Sequence, residues 1–274
     1  MYGTNALTLR IADLPITLRL EDCADATRAR IVEHYQAFLV PASSGMFSIR
    51  VRVEVGGAYI EPRRAQTWQI RTWTRNGRVH FESYYEAGWF DRATGQGELV
   101  MRPQGNPENF LRVLYAWLCL DHAGLLLHAC GVIARGKGYA FCGPSGSGKT
   151  TVAGLSSDQT VLSDDLVIVR RQGDRFRLYG VPFRGDLPEA PRTNASAELQ
   201  GLFVLVKDTE HRLTSLASPE ATARISACVP FVMTQKEHAS RVIHLGAQLA
   251  LHAPVFALHF RRDAGFWEVI HGLA

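Results

Sequence analysis

The chain has 274 residues, 46% hydrophobic and 20% charged, a balance that suits a globular protein and excludes a disordered one. The formal charge is +4, from 30 Lys+Arg against 26 Asp+Glu, with no long basic run, so nucleic-acid binding is not indicated. No apolar run reaches the ~20 residues of a membrane span, and the N-terminus lacks the basic-then-apolar pattern of a signal peptide. The five cysteines, Cys23, Cys119, Cys130, Cys142 and Cys228, form no CxxC pair and read as reduced core thiols of a cytoplasmic protein.

Residues 1–105 read mostly as strands. "ALTLRIADLPITLRL" gives two short alternating runs. A helix from Ala24 to Leu39 follows, with Ile31, Tyr35, Phe38 and Leu39 on one side. "FSIRVRVEV" alternates apolar residues with Arg, the mark of a half-buried strand. Asn76-Gly77 between two β-rich runs predicts a hairpin, since both residues tolerate positive φ. The turn cluster "RPQGNPENF" marks the boundary between a β-rich N-terminal domain, residues 1–105, and a second domain, residues 106–274. A helix is expected from Pro107 to Ala123. Two apolar runs flank Arg135-Gly136-Lys137-Gly138, predicting another hairpin. After it come a short helix from Lys149, the strand "TVLSDDLVIVRR", a strand over Leu202–Val206, and a helix in "SPEATARISACV" capped by Ser218. A further strand and a short terminal segment close the chain.

Four features carry chemistry. Gly143, Pro144, Ser145, Gly146, Ser147, Gly148, Lys149, Thr150 and Thr151 form a phosphate-binding loop between a strand and a helix. Its glycines turn backbone amides toward phosphate oxygens, and the helix start adds a favourable dipole. Lys149 should reach the β- and γ-phosphates of ATP, and the Thr150 hydroxyl should ligate Mg²⁺. Asp164 and Asp165 interrupt an otherwise apolar strand, where a carboxylate pair is costly to bury without a cation. One would bind the metal and the other accept a hydroxyl proton; which does which stays open. His128, in "LLLHACGV", lies on a strand expected to pair with the one entering the loop, placing it to orient a catalytic Asp. Arg184, in "GVPFRGDLP", either clamps a phosphoryl group or pairs with Asp186.

His128, the loop, "LSDD" and "GVPFRGDL" occur in the order and spacing of the HPr kinase/phosphorylase family. The resemblance runs from about Leu125 to Phe231 and implies an α/β fold of the phosphoenolpyruvate-carboxykinase type. The layout, with its "LLLHA" strand and final "VFALHF…W" segment, looks most similar to HPr-kinase-related proteins, some encoded in lasso-peptide clusters. That implies ATP and Mg²⁺ as cofactors and a Ser/Thr hydroxyl of a peptide or small protein as acceptor. One of Asp164 and Asp165 would be the base and the other a metal ligand. HPr kinases are often hexamers, so a homo-oligomer is a further implication. The chain departs from bifunctional HPr kinases at Thr150-Thr151, where they usually carry Ser then Glu, which weakens HPr itself as acceptor.

Two other classes share the loop. A transporter ATPase needs an LSGGQ-type signature and an apolar run ending in Asp-Glu, and neither occurs. A nucleotide-binding regulatory module without catalysis would keep the loop and need no acceptor. Phosphate transfer to a Ser-containing peptide separates that alternative from a kinase.

Overall fold

A computed structural model describes residues 5–41, 45–61, 69–183, 185, 192–233 and 236–273. The protein is mixed α/β, with two large sheets and, among the described residues, six α-helices. It divides into two compact units, Met1–Tyr115 and Ala116–Ala274.

Unit 1 contains β1 (Ala6–Ile11), β2 (Leu14–Leu20), α1 (Asp25–Tyr35), β3 (Leu39–Val40), β4 (Phe47–Val53), β5 (Arg71–Arg75), β6 (Arg78–Glu82), β7 (Glu86–Asp91) and β8 (Gln96–Met101). They form one sheet in the order β3-β1-β2-β4-β8-β7-β6-β5. The β5–β6 turn is made by Asn76 and Gly77 at φ 51° and 78°, as the Asn-Gly signal predicts. Alternation in β4 buries Phe47, Ile49 and Val51 and exposes Arg50. This strand is not an edge: β2 and β8 flank it on both sides in parallel. β5 instead lies at the end of the sheet order.

The helix after the turn cluster is α2 (Glu108–Asp121). The two units divide within it, ten residues beyond the boundary expected at 105. Its first turns pack with the unit 1 sheet: the Phe110 ring meets Phe81 and Phe90 edge-on at 5.7 and 5.9 Å. The Tyr115 hydroxyl donates to the Leu14 carbonyl at 2.9 Å.

Unit 2 contains β9 (Gly124–Ala134), β10 (Lys137–Cys142), α3 (Lys149–Leu155), β11 (Thr160–Ser163), β12 (Leu166–Gln172), β13 (Arg175–Tyr179), β14 (Ser196–Lys207), β15 (Arg212–Ser215), α4 (Ser218–Ala227), α5 (Lys236–His252), β16 (Val255–Phe260) and α6 (Phe266–His271). Strands run in the order β10-β9-β12-β13-β14-β16-β15, and β14 also pairs β10, so five strands close into a ring. The β9–β10 hairpin turns on Arg135 and Gly136, both at positive φ. The strand predicted at Leu202–Val206 is the centre of the longer β14. Ala217, not Ser218, occupies the α4 N-cap; its extended backbone (ψ 146°) leads into the helix without a side-chain cap, and Ser218 is already helical. α5, not anticipated from sequence, packs with α4. None of the five cysteines is in a disulfide.

The core beside α3 holds Val152, Ala153, Phe141, Phe203, Leu205, Phe260, Phe266 and Trp267. Burying such side chains contributes roughly 1.5–3 kcal/mol each. This fixes β10, β14 and β16 side by side with their C-terminal ends together, the edge of a parallel sheet where ligands commonly bind. No helix among the described residues is long and apolar enough to cross a membrane.

Candidate functional site

The loop opens where β10 ends at Cys142 and closes where α3 begins at Lys149. Two glycines let it turn: Gly146 at φ 76° and Gly148 at φ 112°, a region costly for residues with a Cβ. At Gly148 there is no room either, since a Cβ would lie 2.7 Å from the Phe260 ring. Around Gly146 a Cβ would meet nothing within 4 Å, so that backbone faces open space. Lys149 is buried, and its Nζ donates to the Gly143 and Pro144 carbonyls at 2.9 and 3.2 Å.

Asp164 and Asp165 sit in the break between β11 and β12, which both run antiparallel to β9. The strand expected to continue through them is bent there. The Ser163 hydroxyl accepts the Asp165 and Leu166 amides, each at 3.2 Å, and holds the bend. The two carboxylates point to different partners. Asp164, buried, accepts from the Thr150 hydroxyl at 3.3 Å. Asp165 is half-buried, and its Oδ1 lies 2.9 Å from His128 Nε2. A carboxylate only accepts, so His128 donates from Nε2.

One cavity of about 380 Å³ joins these groups. His128, Ser145, Gly146, Gly148, Lys149, Thr150, Thr151, Asp164, Asp165 and Lys207 line it. A larger hollow, about 590 Å³, lies on unit 1 and is lined by Asn5, Thr17, Arg19, Glu21 and Ser48 among others; it holds none of the sequence-predicted residues. Arg184 lies outside the described residues. Its neighbour Gly185 is packed against Asp164, where a Cβ would come within 2.2 Å of the carboxylate.

A second contact was not legible beforehand. The thiols of Cys142 and Cys228 are hydrogen-bonded beside the loop. That bond holds the Cys228 thiol below its ordinary range, helped by His128, Lys149 and the Gly143 amide, although burial opposes the shift. The same bond, with burial, pushes Cys142 well up. The Cys228 carbonyl accepts the His128 amide at 2.7 Å, so the end of α4 is tied to the strand that carries the histidine.

A family model described as SynChlorMet cassette protein ScmC matches residues 109–273, well over half of the 274. The chain belongs to the ScmC family. The ScmC match spans the loop, the Asp pair and His128, and leaves most of unit 1 outside it. The lasso-peptide connection gains no support from it. No curated protein matches the chain. Among solved structures, the Hpr(Ser) kinase/phosphatase from Coxiella burnetii is similar with TM-score 0.30 and 9% identity, over 54% of this chain and 95% of that one. A likeness that slight does not establish a common fold.

Within the ScmC-family region, sequence reasoning missed Lys207 and Cys228. Lys207 ends the apolar run "LFVLVK"; its signal was a lysine at the C-terminal end of a strand beside the one that enters the loop. Cys228 had no signal, because its neighbours come from β9 and the loop.

Proposed function

We propose that this ScmC-family protein is an ATP-dependent kinase that transfers the γ-phosphoryl group to a Ser or Thr hydroxyl of a peptide or small protein, on an HPr-kinase-type core. The observation that carries this reading is the separation of the two aspartates: Asp164 faces Thr150 and Asp165 faces His128. A site that only binds nucleotide has no use for a second carboxylate held by a histidine.

The residues present fit Mg–ATP. Thr150 and Asp164 offer two hard oxygen donors at 3.3 Å from one another, the donor type Mg²⁺ prefers. The open backbone at Gly146 leaves space for phosphate oxygens. Bound there, Mg–ATP would supply the phosphoryl group and a cation to neutralise its charge. Asp165 would accept the proton of the acceptor hydroxyl as its oxygen attacks. His128, by holding Oδ1, sets the direction of that carboxylate. Lys149 would exchange its loop carbonyls for the β- and γ-phosphates. Arg184 is proposed to steady charge on the moving group; the next residue, Gly185, lies beside Asp164.

The test is incubation of the purified protein with Mg–ATP and a panel of Ser-containing peptides. The expected result is a mass gain of one phosphoryl group on a Ser or Thr. Tight ATP binding with no transfer to any acceptor would instead identify a regulatory nucleotide-binding module.

A further inference from the structure

Lys207 is the one residue of the cavity that neither the loop nor the Asp–His pairs account for. Its position follows from strand pairing. β14 runs parallel to β10, with Val204 the Cα partner of Cys142. Lys207, three residues on, therefore reaches roughly 10 Å past the end of β10 at about 3.3 Å per residue. Alternation along β14 puts it on the face of Phe203 and Leu205, which pack in the core with Val152 and Ala153 of α3. This is the face on which the loop turns into helix. Its Cα partner in β16 is Phe260, whose ring lies against Gly148.

The side of the loop matters as well. Asp164 and Asp165 lie beyond β9 from β10, whereas β14 adjoins β10 on the opposite side. The cavity thus has a carboxylate wall and, across the loop, a wall carrying an ammonium group. Lys207 has no ion pair or hydrogen bond among the described residues. The next residue, Asp208, is engaged by His259, Arg212 and Thr209. An unneutralised cation facing a cavity that the glycine-rich loop and Lys149 also line selects an anion.

We propose that Lys207 is a second phosphate-binding residue of the nucleotide site, holding the phosphate chain at the end away from the Asp pair. This rests on the reading of the cavity as a nucleotide site. If the γ-phosphate lies toward Asp165, the opposite wall meets the phosphates that ATP and ADP share. Lys207 would then anchor the nucleotide in both its substrate and product forms, leaving transfer itself to the other wall.

The experiment is calorimetric titration of the full chain with Mg–ATP and with Mg–ADP, for wild type, Lys207→Met, Lys207→Arg and Lys149→Ala. Lys207→Met should weaken both nucleotides by roughly tenfold, the loss of one charge-assisted hydrogen bond. Lys207→Arg should restore most of that affinity, and in turnover Lys207→Met should show a raised KM with kcat little changed. The melting temperature without nucleotide should stay at the wild-type value, because the side chain is exposed. Wild-type affinity in Lys207→Met, with binding lost in Lys149→Ala, overturns the proposal and leaves the nucleotide site standing. A loss confined to ATP overturns the placement away from the Asp pair. Failure of the wild-type protein to bind either nucleotide overturns the reading beneath it.

Discussion

His128 Nε2 on β9 and Asp165 Oδ1 in the break before β12 are 2.9 Å apart, and the register of β9 and β12 is what brings them together. His128 is the Cα partner of Leu166, the residue after Asp165, so the bend at Ser163 swings the carboxylate onto the imidazole. Asp165→Asn should therefore lower phosphoryl transfer by about 10²–10⁴-fold while ATP still binds. Single-turnover transfer together with ATP affinity checks this; full activity in Asp165→Asn would remove the base assignment.

Asp164 has a different partner and should have a different phenotype. Asp164→Asn and Thr150→Ala should both raise the Mg²⁺ concentration needed for half-maximal activity, by roughly 10–100-fold, the range seen when a metal site loses a supporting group. Asp165→Asn should leave that concentration unchanged. Mg²⁺ titrations of the three variants decide it, and identical curves would mean that the two carboxylates share one role.

Two glycines of the loop separate strain from space. Gly146→Ala meets nothing within 4 Å but keeps φ 76°, so it should cost about 1–2 kcal/mol. Gly148→Ala adds a contact of 2.7 Å with Phe260 to φ 112°, and should cost more and melt several degrees lower. Thermal melts of both variants, compared with wild type, provide the check.

Trp267 joins the C-terminal segment to the loop's supporting core. Its ring meets Phe141 and Tyr139 edge-on at 5.6 and 5.3 Å, and its Nε1 donates to Ser156 Oγ at 3.1 Å. Trp267→Ala should destabilise unit 2 by about 3–5 kcal/mol. Trp267→Phe should retain the ring contacts, lose the hydrogen bond and cost less. Denaturant unfolding of the two variants tests the order.

Glu86 in unit 1 predicts a pH effect. Burial raises its pKa above the ordinary 4.5, against hydrogen bonds from Ser83 and the Asn106 amide. A raised folded pKa favours the protonated carboxyl in the native state. Its stabilising contribution is therefore complete below 4.5 and is lost as pH rises through the folded value. Glu86→Gln, which stays neutral, should gain stability relative to wild type as pH rises through that window. A stability difference that does not change with pH would contradict this.

Much of the local structure was legible in the residues themselves. Asn76-Gly77 specified its turn because both residues accept positive φ, and Gly136 marked the other. Alternation marked β4 as half-buried, and the glycine spacing marked the turn between β10 and α3. Neighbours across the sheet were a different matter. Alternation reports which face of a strand is buried and not which strands flank it, so nothing in "FSIRVRVEV" showed that β4 lies between β2 and β8. For the same reason the two aspartates were equivalent in sequence. Only the register against β9, and the packing of α3 against β9, gave Thr150 to Asp164 and His128 to Asp165. Lys207 and the Cys142–Cys228 contact depend on pairings of β14 with β10 and of α4's end with β9, between segments far apart along the chain. The sequence by itself determined a glycine-rich loop between a strand and a helix; tertiary pairing decided which carboxylate faces Thr150, which faces the histidine, and which cation stands across the loop.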